Sequence, residues 1–107
     1  NELIPACDPS LIHGDLWSGN LLADKSGQPV LIDPAVYYGH PEMDWAMLSL
    51  FGKYPEEAMI NYQNIKPLEK GLGERIDIHQ LYPLLVHLIL FGRGYLSGIL
   101  STLKKYT

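Results

Sequence analysis

An aspartate, Asp15, stands in the stretch His13-Gly14-Asp15-Leu16-Trp17-Ser18-Gly19-Asn20, and a second, Asp33, ends a short apolar run in Leu31-Ile32-Asp33-Pro34. That order suits in-line transfer of a phosphoryl group to a hydroxyl. The reaction needs a positioned hydroxyl, a proton acceptor beside it and cations on the phosphate oxygens. Asp15 suits the second task, as a carboxylate on a glycine-flanked loop end. Gly14 lets the backbone turn tightly there. Asn20 and Asp33 suit the third, because magnesium prefers hard oxygen ligands, one or two of them carboxylates. Singly, each has a plainer use: an Asp after Gly is a turn residue, an Asn can cap a strand, and Asp-Pro opens turns. Their order and spacing together carry the chemical reading. His13 reads as a structural imidazole bracing the loop, not as a base. Trp17 suits either the core or a wall of the acceptor site.

These residues need elements to position them. Leu11-Ile12 is a short apolar run that reads as a strand delivering the loop. Asn20 to Ala23 and Pro29 to Ile32 flank the polar turn Asp24-Lys25-Ser26-Gly27-Gln28, which is a hairpin signature. Pairing the two runs brings Asn20, at the start of one, near Asp33, at the end of the other. Pro41 reads as the first position of a helix, with Glu42 in its first turn. Met43, Ala46, Met47, Leu50 and Phe51 form its apolar face, and Gly52 is its expected C-terminal cap. Asp44 lies on the border of that face. An exposed acid there would serve the helix dipole; a buried one would hydrogen-bond the backbone of the His13–Asp15 loop, the role favoured for it.

A second helix is expected from Pro55 to about Asn64, then a loop from Lys66 through Gly73. A third should run from Arg75 to about Phe91. It is apolar on most sides after Gln80, which predicts central burial, with a kink at Pro83. Gly92 and Gly94 break the pattern. A last amphipathic helix should turn Tyr95, Leu96, Ile99, Leu100 and Leu103 inward and place Lys104 and Lys105 near its negative end.

Composition narrows the function classes. With 107 residues, 47% apolar and 19% charged, the chain is one modest globular unit. A net charge of −4 and scattered cations give no nucleic-acid footprint. The single cysteine, Cys7, excludes an internal disulfide and a cysteine-based metal cluster. It fits a reducing compartment, and a cytoplasmic location is expected, with no membrane partner. No signal-peptide pattern opens the chain, and no apolar run approaches the ~18 residues of a membrane span. His40, His79 and His87 show no metal-ligand spacing, so no zinc site is expected, and His87 reads as a satisfied core histidine.

At this point the residues resemble a particular family. Leu11 through Asn20, Ile32-Asp33-Pro34-Ala35, Gly39 through Met47, and Leu81 through Gly92 are similar to the fructosamine (ketosamine) kinases. These belong to the aminoglycoside-phosphotransferase/choline-kinase branch of the protein-kinase-like fold. The loop alone would fit the whole branch; Leu16-Trp17-Ser18-Gly19 and Leu90-Phe91-Gly92 narrow it. The resemblance runs from about residue 9 to the last residue. It implies an α+β, mainly helical fold, the partial C-lobe of a protein-kinase-like fold, with a short β-hairpin followed by about four helices. Residues 1–39 would carry the catalytic loop and metal-binding hairpin, residues 40–107 the helical part, and the N-lobe would be absent. It implies ATP as co-substrate, Mg2+, and a ketosamine or glycated-lysine acceptor phosphorylated on a sugar hydroxyl. Asp15 would be the catalytic base, Asn20 and Asp33 the magnesium ligands, and Asp44 a brace for the loop.

The family's phosphate-covering loop, ATP-gripping lysine and partner glutamate belong upstream of the catalytic loop. Without them the isolated segment is expected to be inactive, and its uncovered apolar surfaces to drive self-association. Two alternatives stand beside this reading. One is an aminoglycoside- or choline-kinase-like phosphotransferase acting on another small molecule. The other is a non-catalytic helical interaction module.

Overall fold

The hairpin forms around its turn chemistry. In the computed structural model, which describes residues 4–50 and 52–106, strands β2 (Leu21–Ala23) and β3 (Pro29–Leu31) pair antiparallel, with Leu21 opposite Leu31. Asp24 Oδ1 accepts the amides of Ser26 and Gln28 at 2.8 and 2.9 Å, and Gly27 takes φ +81°, a value its missing Cβ allows. Strand β1 (Ser10–Ile12) leads into the loop as expected. Its partner is β4 (Tyr37–Gly39), a strand that the sequence reading missed.

Helix α1 (Glu42–Leu48) follows Pro41. It stops before the expected cap at Gly52. Ser49 sends its amide to both Trp45 and Ala46 carbonyls and its hydroxyl back to Trp45 at 3.0 Å, while the Leu50 amide bonds Met47. A serine that bonds its own preceding turn competes with the next one, and the helix ends there. Leu50 therefore lies beyond the helix, and Phe51 lies outside the described residues.

Helix α2 (Glu56–Ile65) follows Pro55, with Glu56 and Glu57 at its positive end. Helix α3 (Leu72–Phe91) begins three residues before the expected Arg75, directly after Gly71 at φ +89°, and runs on through Pro83. Within this segment it is only partly covered. Leu72, His79 and Pro83 are buried, whereas Tyr82 is 68% and Ile89 81% exposed. Helix α4 (Leu96–Lys105) packs on α3. Tyr95, Leu96 and Ile99 turn inward as expected, joined by Thr102 and Tyr106, whereas Leu100 and Leu103, expected with them, are exposed. Two polar ties to α3 fix that rotation. Tyr106 donates its hydroxyl to the Glu74 carbonyl and to Asp77, and Lys105 pairs with Asp77 at 2.9 Å.

One core joins these pieces. Trp45 of α1 packs with Leu16, Leu48, Met59 and Leu72, its ring edge-on to Tyr54 and Tyr62 at 5.6 and 5.2 Å. Leu16 therefore anchors the loop of Asp15 in the same core that holds α1. Among the described residues no helix is long and apolar enough to cross a membrane.

Candidate active site

The loop is held from beneath by α1. Asp44 accepts the His13 amide at 2.8 Å with one carboxylate oxygen and the Gly14 amide at 3.1 Å with the other. Such charge-assisted bonds to consecutive amides fix the backbone that presents Asp15. His13 holds it from the side. Its Nδ1 accepts the Asp15 amide at 3.2 Å, so Nε2 carries the proton and donates to the Ile32 carbonyl at 2.8 Å. The imidazole thus ties the loop to the residue before Asp33. The His13 carbonyl accepts the Ala35 amide at 2.8 Å, closing the same junction. Gly14 is required twice over: its φ is +90°, and a Cβ there would lie 2.0 Å from the Ala35 carbonyl oxygen.

The hairpin sets the two candidate metal ligands side by side, and one of them, Asn20, reaches the base. Buried Asn20 sends its amide nitrogen to the Asp15 carbonyl at 2.9 Å and to the Asp15 carboxylate at 3.3 Å. Its side-chain oxygen remains as the acceptor end of that amide. The Asn20 carbonyl accepts the Ile32 amide at 2.9 Å, which sets Asp33 one residue beyond Asn20 across the hairpin. Asp33 has φ +50°, the one positive value at a non-glycine residue among the described residues. Strain of this kind gathers at functional sites. An amide oxygen and an exposed carboxylate at neighbouring strand ends are hard oxygen donors that fit magnesium.

Two cavities meet at His87, and the first of them borders Asp15. One, of about 300 Å³, reaches from Asp15 and Asp44 to Tyr37, Met47, Tyr82 and His87. The other, of about 290 Å³, lies between Trp17 and the side chains of His87, Phe91 and Tyr95. Half-buried His87 is the site residue that sequence reasoning placed in the core. It donates Nδ1–H to the Pro83 carbonyl at 2.7 Å, and its ring lies 5.1 Å from Tyr95 and 5.6 Å from Phe91. Its signal in the sequence was a histidine on an otherwise apolar helix, which serves a core and a pocket rim equally well.

The other histidines meet behind the site. Glu42, 1% exposed, takes Arg75 Nε and Nη2 at 3.0 and 2.7 Å and His79 Nε2 at 2.9 Å. His40, whose ring lies 5.1 Å from His79, accepts the Glu42 amide. The ligand atoms of His40, Glu42 and His79 lie within 4.8 Å of one another, a grouping hidden by their distance in sequence. A guanidinium already grips both Glu42 oxygens, so the cluster is an ion-pair clamp between α1 and α3. Burial pushes the Glu42 carboxyl up, but the hydrogen bonds from Arg75 and His79 outweigh it and hold it below the usual range. Burial pushes the His79 imidazole down, against the opposing pull of Glu42.

Both shifts have the same sign for stability. A group with a depressed folded pKa binds its proton more readily when unfolded, so stability is lost as pH falls. For His79 the loss begins below its ordinary value of 6.5. The urea midpoint of a full-length family member carrying this segment should fall from pH 7.5 to 5.5, and His79→Gln should flatten the fall. An equal slope in both proteins would remove His79 as its source.

Residues 5–107 match the family model for fructosamine kinase. A probable ketoamine kinase of Enterococcus faecium is 51% identical over 98 residues, covering 92% of this chain and 35% of that protein. A chloroplastic protein-ribulosamine 3-kinase of Arabidopsis thaliana is 43% identical over 99 residues, covering 92% of this chain and 30% of the relative. Among solved structures, a candidate fructosamine-3-kinase of Thermobifida fusca superposes with a TM-score of 0.80 at 47% identity, covering 88% of this chain and 33% of that one. The chain spans about a third of the length of these relatives. With a family match that runs over nearly its whole length, this chain belongs to the fructosamine kinase family.

Proposed function

We propose that the protein carrying this segment is an ATP-dependent kinase that phosphorylates a sugar hydroxyl of a ketosamine, such as a glycated amine or glycated lysine. The supporting observation is the Asn20 amide on the Asp15 carboxylate, with Asp33 next to Asn20 across the hairpin. Asp15 accepts the hydroxyl proton as the acceptor oxygen bonds to the γ-phosphorus and the bond to ADP breaks. Asn20 holds the Asp15 side chain by one end of its amide and offers the other to the metal. Asp33 supplies the carboxylate ligand. Asn20 and Asp33 would together hold a magnesium ion, which would supply charge neutralisation at the phosphate oxygens. Asp44 and His13 keep the loop in place and take no proton. Trp17 walls the acceptor cleft, opposite His87, Phe91 and Tyr95. A cytoplasmic location fits the single, exposed Cys7.

The test is a panel of acceptors offered with magnesium-ATP to a full-length family member carrying this segment. Ketosamines should be phosphorylated and the parent amines left unreacted. Turnover of aminoglycosides or choline in preference to ketosamines would favour the broader small-molecule kinase. No transfer to any acceptor, with no magnesium-ATP binding, would favour a helical interaction module.

The isolated segment holds the base and metal ligands but no glycine-rich phosphate loop, so it should not turn over. Its uncovered apolar residues include Leu22 and Leu31 on the hairpin and Ile89 and Phe91 on α3. Surfaces of this kind associate. Sedimentation of the isolated segment should show dimers or larger species that grow with concentration. A monomer at all concentrations would refute the association.

A further inference from the structure

We infer that Gly19 is a specificity-determining position, because its missing side chain is the seat on which the Trp17 indole rests. The inference rests on the reading of Trp17 as the acceptor wall. A Cβ at Gly19 would lie 2.1, 2.4 and 2.4 Å from Cη2, Cζ2 and Cζ3 of the indole, distances that no side chain tolerates. Backbone conformation does not explain the glycine, since Gly19 is absent from the positive-φ residues. Space alone does, in contrast to Gly14.

The consequence is geometric. Trp17, Ser18 and Gly19 are the chain between the base side of the loop and Asn20, closed by the Asn20 amide on the Trp17 carbonyl at 2.9 Å. Folding the indole onto Gly19 lays the ring along this turn. It also places the ring as one wall of the 290 Å³ cleft, opposite His87, Phe91 and Tyr95. A ring so placed presents an apolar face to the carbon side of a sugar. A methyl group at position 19 would lift the ring into the cleft and narrow it. The bonds that fix Asp15 and Asn20 come from Asp44, His13, the hairpin and the backbone of Trp17, whose amide bonds the Asp15 carbonyl and whose carbonyl takes the Asn20 amide; none comes from the indole ring. The acceptor should therefore be affected and the nucleotide should not.

The experiment is a double-mutant cycle in a full-length family member carrying this segment, with Gly19→Ala, Trp17→Ala and both together. Gly19→Ala is expected to raise the acceptor KM on the order of tenfold, the scale of one lost aromatic contact. The kcat and the KM for ATP should stay near wild type. Tryptophan fluorescence should shift. In the Trp17→Ala background, where the seat is vacant, Gly19→Ala should add nothing. An equal effect of Gly19→Ala with and without the indole would overturn the inference while leaving Trp17 as the wall. So would an unchanged acceptor KM in Gly19→Ala when Trp17→Ala raises it. An unchanged acceptor KM in Trp17→Ala would overturn the wall reading and the inference with it.

Discussion

Replacing Asp15 with asparagine should lower kcat by about 10²- to 10⁴-fold, the range that a positioned general base contributes. The substitution is close to isosteric. Its backbone carbonyl still accepts the Asn20 amide, as Asp15 does now at 2.9 Å, and the new side-chain oxygen can accept the second bond. Asp44 and His13 continue to hold the loop amides. What disappears is the capacity to take the hydroxyl proton. The KM for ATP should therefore change little while turnover collapses, a split that separates a lost base from a disordered loop. Steady-state kinetics with a ketosamine acceptor read it directly. Undiminished turnover in Asp15→Asn would remove Asp15 from the chemistry.

Glu42→Ala should be the most damaging change for stability, on the order of 3–5 kcal/mol by urea denaturation. The magnitude comes from what is left behind. Half-buried Arg75 loses a bidentate partner and keeps only the Lys70 and Glu69 carbonyls, and His79, 4% exposed, loses the acceptor of its Nε2–H. Breaking a buried ion pair by removing one partner is far costlier than breaking an exposed one. The damage should reach the site as well, because Asp44 lies two residues along the same short helix. With the start of α1 released from α3, the carboxylate that grips the His13 and Gly14 amides loses its footing. Lys53→Ala is the matching control, since its pair with Glu56 lies on the surface, where such pairs contribute little. Equal destabilisation by the two changes would contradict the clamp.

Much of the site was legible because its logic is local. The turn Asp24 to Gln28 carries its own hydrogen bonds, so the hairpin and the approach of Asn20 to Asp33 follow from turn chemistry and short apolar runs. The place of Asp44 in the first turn of α1 left two uses open, the helix dipole or the loop, and its bonds to the His13 and Gly14 amides show the second. The features missed depend on distant partners. Strand β4 has three residues and pairs with β1 across the whole catalytic loop and hairpin, so no local period announces it. Glu42, Arg75 and His79 meet only once α1 and α3 pack. The face of α4 was read correctly at Tyr95, Leu96 and Ile99 but missed in its last turns, because Leu100 and Leu103 outweigh Thr102 on any apolar count, while the bonds of Tyr106 and Lys105 decide the rotation. The end of α1 was misread because Ser49 bonding its own turn is invisible in an apolar pattern. The role of Gly19 needed the position of a side chain two residues away.

The claim that Asp15, Asn20 and Asp33 form one phosphoryl-transfer site is tested most directly by a crystal structure of a full-length family member carrying this segment, with magnesium and a non-hydrolysable ATP analogue. A magnesium ion bound by the side-chain oxygens of Asn20 and Asp33 at about 2.0–2.1 Å is expected, with the Asp15 carboxylate facing the γ-phosphate across the space for a hydroxyl. A nucleotide-bound magnesium that contacts neither Asn20 nor Asp33, or an Asp15 turned away from the γ-phosphate, would contradict it.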